Sequence, residues 1–155
     1  MKRICNTHIH QRGFTLIEVI LVLIIMAIVV TVILARATPG SIDLIAQTEI
    51  LKSHLRYAQI RAMNDTEPWG IHIPDAGSYV LYWKNAQATS DKLLPGENAQ
   101  KHKLPAGITV TAGVGTTYNF SQEWGSPGTS TLAITLSQGT TTSNITITKN
   151  TGYIP

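Results

Sequence analysis

Cysteine is almost absent from this chain of 155 residues. Cys5 is the only one, so no disulfide can close within the chain, and any folded part must be held by its apolar core. Charge is scarce too, at 14% of residues, and from Phe14 to Ala35 the only charged side chain is Glu18. Chemistry-bearing patterns are missing: there is no CxxC or HExxH spacing, no glycine-rich phosphate loop after a strand, and no G-x-S-x-G elbow. His54, His72 and His102 are scattered with no second ligand at i+3 or i+4, and they read as surface or packing residues. Asp75 and Asp91 are isolated in loops and read as solvated. No catalytic residue, cofactor or metal is therefore expected. Beyond Lys103 the only basic residue is Lys149, which argues against nucleic acid as the main partner. No internal repeat is present.

What the chain does have is a polar leader followed by a long apolar run. From Phe14 to Ala35 there are 22 residues, which as a helix would reach about 33 Å, enough to cross a bilayer core. Lys2, Arg3 and Arg12 precede the run without an acid among them, and this charge asymmetry keeps residues 1–13 on the cytoplasmic side. Those three cations also carry the whole formal charge of +3, because the remainder holds nine basic and nine acidic residues.

Three readings of this N-terminus compete. A secretory signal has a charged start, and Ala35-Arg36-Ala37 would serve as its small-residue cleavage site; its apolar segment, however, is only about 7–15 residues long. A plain membrane anchor explains the length but leaves Gly13 and Glu18 as accidents. The third reading, cleavage at Gly13, accounts for leader, glycine and carboxylate together. An ionised carboxylate at the centre of a membrane helix costs about 2.5–3.5 kcal/mol on insertion scales. One turn into the helix it costs less, because it faces the headgroups and the positive end of the macrodipole.

The run Arg12-Gly13-Phe14-Thr15-Leu16-Ile17-Glu18-Val19 resembles the type IV prepilin signature, shared by pilins and the pseudopilins of type II secretion. The resemblance covers about residues 12–35. It implies that a prepilin peptidase/methyltransferase cuts after Gly13 and N-methylates Phe14, taking Cys5 away with the leader. It also implies that Glu18 serves subunit assembly by pairing with the N-terminal amine of a neighbouring subunit, an amine that exists only after cleavage. Many pilins staple their C-terminal region with a disulfide, and this chain departs from that pattern.

The rest of the chain reads as one α+β domain over 41–155, preceded by a transmembrane and assembly helix over 14–37 and the removable leader, 1–13. Thr38-Pro39-Gly40 should break the helix, with Ser41 as N-cap and Asp43 in the following first turn. Leu44, Gln47, Leu51, Leu55, Ala58 and Ala62 recur at helical spacing, an amphipathic stripe suited to packing on a sheet, while Glu49, Lys52, Arg56 and Gln59 occupy the opposite side. This helix should end near Asn64. Strands are expected at 69–73 and 79–83 about a longer turn at 74–78, and at 108–111, 117–120, 132–136 and 145–148, the last two joined by a threonine-rich connection at 137–143. Residues 86–103 show no period and read as a loop. Trp69, Trp83 and Trp124 read as core residues rather than a binding surface.

Leu51 to Met63 (LKSHLRYAQIRAM), the Trp69-Gly70 hairpin, Tyr118-Asn119-Phe120 with Gly125, and the closing segment 145–154 are similar to the minor pseudopilins of type II secretion, the H-type and FimT-like group. That similarity implies a long N-terminal helix, an amphipathic helix on antiparallel sheet, and a non-catalytic filament subunit. It would reside in the inner membrane as a single-pass protein with a periplasmic domain. Its partners would be other pilin or pseudopilin subunits, the prepilin peptidase and an inner-membrane assembly platform. A minor type IV pilin serving assembly, adhesion or DNA uptake, and a membrane-anchored periplasmic enzyme, are the other readings.

Overall fold

The computed structural model describes residues 14–36, 39–84, 86–87 and 92–155. Helix α1 (Leu16–Arg36) stands as a unit of its own, separate from the compact unit Pro39–Pro155. Its 21 residues rise about 32 Å, and every side chain from Phe14 to Ile33 is exposed. Such a helix, apolar all round, needs an apolar surrounding. Its one hydroxyl in mid-course, on Thr31, is spent on the Ala27 carbonyl at 2.7 Å, so the span carries no free polar group there.

Helix α2 (Pro39–Asn64) begins at Pro39. Proline suits the first helical position, where its fixed φ is already helical and its missing N–H is not needed. The expected N-cap, Ser41, therefore lies inside the helix, and Asp43 falls beyond its first turn; Thr38 is outside the described residues. The apolar stripe is as expected. Leu44, Leu51, Leu55, Ala58 and Ala62 are buried and Gln47 half-buried, and the stripe also takes in two polar residues, Thr48 and His54.

Eight strands follow: β1 (Trp69–Asp75), β2 (Ser78–Trp83), β3 (Ala86–Gln87), β4 (Lys101–Lys103), β5 (Ile108–Ala112), β6 (Thr117–Phe120), β7 (Leu132–Gln138) and β8 (Thr141–Ile147). One sheet runs β3-β2-β1-β6, with β4 also on β2, and the other runs β5-β7-β8. All their pairings are antiparallel. Helix α2 packs against β1 and β6 of the first sheet and β7 and β8 of the second. The core is thus shared: Ile71, Ile73, Tyr79, Leu81 and Phe120 meet Ile134, Leu136, Ile145 and Ile147 beneath the helix stripe. The Tyr118 hydroxyl donates to the Ala133 carbonyl at 3.0 Å and joins the two sheets at that corner.

Four sequence expectations are corrected here. The β1–β2 turn is Ala76-Gly77 alone, because Asp75 pairs with Ser78; a bulge between His72 and Asp75 absorbs Pro74, which has no N–H for a regular ladder. The threonine-rich connection is mostly strand: Ser137 faces Thr142 and Gln138 faces Thr141, leaving Gly139-Thr140 as the turn, since β-branched threonines suit the pleat. Residues 86–103 contain two short strands, β3 and β4, which pair with successive stretches of the same edge of β2. Trp69 is buried and Trp83 half-buried, their rings 5.9 Å apart, but Trp124 is 74% exposed and lies outside the core.

Arg56 and Gln59, expected to be merely solvated, hold the chain's end. Arg56 Nη2 donates to the Ile154 carbonyl at 3.0 Å; Gln59 Nε2 donates to the carbonyls of Gly152 at 3.0 Å and Gly125 at 2.8 Å. Gly152 has φ +65, and a Cβ there would run into the Gly125 carbonyl and the Gln59 amide, so glycine is required on both counts.

A second close approach lies in the first sheet. A Cβ on Gly70 would strike the Tyr118 carbonyl of the neighbouring strand, with Asn119 Cα only 2.9 Å away, and neither is a flexible side-chain tip. Gly70→Ala should therefore lower stability by about 1–3 kcal/mol, as overpacking does. Gly77→Ala, where the nearest atom is Asp75 Oδ1 at 3.6 Å, should leave the urea midpoint close to that of the parent protein. Equal midpoints for the two variants would contradict this account.

Candidate functional site

The residues singled out from sequence gather at the start of α1. Thr15 stands just before the helix and caps it: its carbonyl accepts the N–H of Glu18 at 3.1 Å and of Val19 at 3.3 Å, and its Oγ1 lies 3.4 Å from the Glu18 nitrogen. Thr15-Leu16-Ile17-Glu18 is thus the T-x-x-E pattern of a capping box, of which the structure shows the threonine half. The T-x-x-E spacing is the local sequence signal for this cap. It adds a second reason for an acid at position 18, which sits in the first turn where the helix dipole favours negative charge. Phe14 is 83% exposed and shares one shallow groove with Glu18, Val19, Val22 and Leu23. Phe14, Glu18 and Val22, four residues apart, lie on one face, so the carboxylate is framed by apolar surface. Gly13, the expected cleavage position, lies outside the described residues, as does Ala37 of the secretory-signal alternative.

Other candidates disperse or acquire structural partners. His72 Nδ1 lies 2.9 Å from the Thr117 hydroxyl across the β1–β6 pair. Asp75 ties its own turn: its carboxylate accepts from Ser78 Oγ, the Gly77 N–H and, at 3.3 Å, Lys101 Nζ. These bonds, the Ser78 hydroxyl first, hold its pKa below the ordinary carboxylate value. With an ammonium already on it, Asp75 is a poor cation ligand; Asp91 lies outside the described residues. Among the described residues no three His, Cys, Asp or Glu side chains come together as a metal site.

Two histidines do meet, which spacing along the chain gave no reason to expect. His54 of α2 and His102 of β4 approach edge to face with ring centroids 5.6 Å apart, and the Tyr79 ring stacks on His102 at 4.6 Å. His54 Nδ1 is 2.9 Å from the Tyr79 hydroxyl and its Nε2 3.3 Å from the Pro95 carbonyl. His102 Nδ1 is 2.5 Å from Glu97 Oε1, and its Nε2 3.4 Å from Gln47 Oε1. Burial, the largest influence, moves the His54 pKa below its ordinary value and the Tyr79 pKa above its own. The signals were local: His54 falls on the buried stripe, and Lys101-His102-Lys103 alternates with the histidine inward.

The family model for the prokaryotic N-terminal methylation motif matches residues 9–34. It spans Gly13, Phe14 and Glu18 together with nearly all of α1. Over that stretch the chain is similar to type IV prepilins. No curated protein and no solved structure matches it. The motif implies processing by a prepilin peptidase and assembly with other pilin-type subunits, and is typical of structural subunits. Beside the motif, Leu16–Ile33 is the one span among the described residues long and apolar enough to cross a membrane, fitting a single-pass inner-membrane anchor.

An arginine in the middle of that span tests the anchor. Ile25→Arg should cost about 2.5–3.5 kcal/mol of insertion free energy. The variant should move from the alkali-resistant membrane pellet toward the extractable fraction, and an unchanged pellet would argue that α1 does not span.

Proposed function

We propose that this prepilin-like chain is a non-catalytic minor subunit, a pseudopilin of a type II secretion pseudopilus, stored in the inner membrane and then built into a periplasmic filament that supports protein export. The observation that carries the reading is Glu18, a single acid one turn into an otherwise apolar helix, directly after the Gly13-Phe14 junction. The α+β domain behind it and the absence of any cysteine after Cys5 support the pseudopilin reading over a disulfide-stapled pilin. The exposed Ile42 and Ile45 near the start of α2 add apolar surface suited to subunit packing.

In this reading Gly13 gives the peptidase its cleavage point and Phe14 becomes the methylated N-terminus. The new amine, with an ordinary pKa near 7.7–8.0, is a cation at neutral pH. It faces the Glu18 carboxylate of a neighbouring subunit in an apolar setting, where an ion pair fixes register because neither charge is tolerated alone. Peptidase, assembly platform and companion subunits are the partners.

Processing is tested by mass. Co-expressed with a prepilin peptidase, the chain should lose residues 1–13 and start at N-methylated Phe14, and Gly13→Ala should leave most of it uncut. A start at Thr38 would instead support the secretory signal, and an uncut Met1 a plain anchor.

Assembly is tested by Glu18→Gln at matched expression. The substitution keeps shape and removes charge, so membrane levels should hold or rise while recovery in sheared filaments and crosslinking to pilin-type neighbours fall by about tenfold, the worth of about 1.4 kcal/mol. Unchanged incorporation would make Glu18 an acid tolerated at the membrane interface.

A further inference from the structure

Strand β8 ends the second sheet, and its outer edge meets no other strand among the described residues. The other edges are closed or short. The edge of β2 carries β3 and β4, the Val110 N–H of β5 donates to the Ala76 carbonyl at 2.8 Å, and β6 has only four residues. Strand β8 has seven and pairs with β7 without a bulge.

The turn decides which backbone groups of β8 face outward. Gly139-Thr140 is a two-residue turn, so Gln138 and Thr141 beside it exchange both ladder bonds, and bonded pairs recur at every second residue. Thr141, Ser143, Ile145 and Ile147 therefore bond β7, while Thr142, Asn144 and Thr146 direct their N–H and C=O away from it. Thr148 has the same parity. Its N–H donates to the Tyr153 carbonyl at 2.9 Å, and its carbonyl accepts the Gly152 N–H at 2.8 Å. The chain's own returning segment thus covers the edge at 148 and leaves it open at 142, 144 and 146. Among the described residues, no other backbone group bonds the backbone of those three.

The usual protections of an exposed edge are missing there. Between Thr140 and Thr148 there is no charge, no proline and no glycine, and Thr142, Asn144 and Thr146 are all exposed. An uncharged edge suits an identical strand, because two copies bring no like charges together. The edge is also self-complementary in register. Antiparallel, with Asn144 opposite its own copy, Thr142 of each chain faces Thr146 of the other, and every outward residue joins a pair that exchanges two N–H···O=C bonds. Sliding one strand by two residues sends Thr146 to the turn residue Thr140 or Thr142 to the occupied Thr148, so this register alone uses all three.

We infer that β8 is a homotypic docking edge: two copies of this chain pair antiparallel through Thr142, Asn144 and Thr146, joining their second sheets into one. Threonine pairs, a favourable cross-strand combination, flank the two asparagines on the exposed face. The Asn144 Oδ1 already accepts from Thr135 Oγ1 at 2.8 Å, which leaves its amide N–H groups for the other copy. The edge belongs to the globular unit and owes nothing to Phe14 or Glu18, so the inference stands apart from the secretion reading.

Site-specific crosslinking of the full chain in detergent provides the test, in a Cys5→Ser background so that the introduced thiol stands alone. Opposed bonded residues have Cα atoms about 5.5 Å apart, within disulfide reach. Asn144→Cys should therefore give a covalent dimer on mild oxidation. Thr142→Cys by itself should give little, because its own copy lies about 13 Å away along the strand, yet it should crosslink when mixed with Thr146→Cys. Without crosslinking, Asn144→Lys sets two ammonium groups at the centre of the joint, and should raise the dimer dissociation constant about tenfold, less in high salt, with the melting temperature of the domain unchanged. Asn144→Pro removes an outward N–H that β7 does not use and should act likewise; if the proline unfolds the strand, the lysine variant decides. Equal crosslinking at 142 and 144, or a dimer indifferent to Asn144→Lys, would overturn the inference. So would a monomer in every sample, or crosslinks from Asn144→Cys that reach only a different pilin-type subunit.

Discussion

The globular unit is organised by one buried stripe on α2. Leu44, Leu51, Leu55, Ala58 and Ala62 face two separate sheets, and with no disulfide available the sheets are held to each other largely by packing on this helix. Leu51, Leu55, Ala58 and Ala62 are all fully buried on that stripe. A large-to-small change at either leucine would cost about 2–5 kcal/mol, much of a small domain's whole stability.

Polar residues on the same helix complete what the apolar stripe begins. His54 reaches the turn between β3 and β4, and Gln59 and Arg56 reach the segment after β8. Each satisfies carbonyls that no ladder uses, which is where an irregular segment near the core would otherwise carry a desolvation cost of about 1–3 kcal/mol per group. The helix therefore acts both as the core's centre and as the anchor for its non-repetitive parts.

Much of this was legible in the sequence, and the reason differs by element. The apolar run and the stripe of α2 announce themselves because a period of 3.6 repeats over many turns. Strands β1, β2 and β6 were found through their aromatic and β-branched runs. The ends of β7 and β8 were lost because threonine serves both turn and pleat, and β3 and β4 because two or three residues cannot display a period. Phe14 and Glu18 stood out through the contrast of one acid with an apolar run. The meeting of His54 with His102 was invisible, since it depends on how β4 returns along β2. The use of Arg56 and Gln59 was equally hidden, because a solvated residue and one that bonds a distant carbonyl look alike in a sequence.

The grip of Arg56 on Ile154 joins residues 98 apart in the chain, and that of Gln59 on Gly152 joins residues 93 apart. Contacts of such separation slow folding, because the loop-closure entropy must be met before they form. Helix α2 leaves the ribosome early, yet its stripe waits for β7, β8 and the segment that follows. The packing of α2 against the segment after β8 is complete only once residues 152–154 are in place.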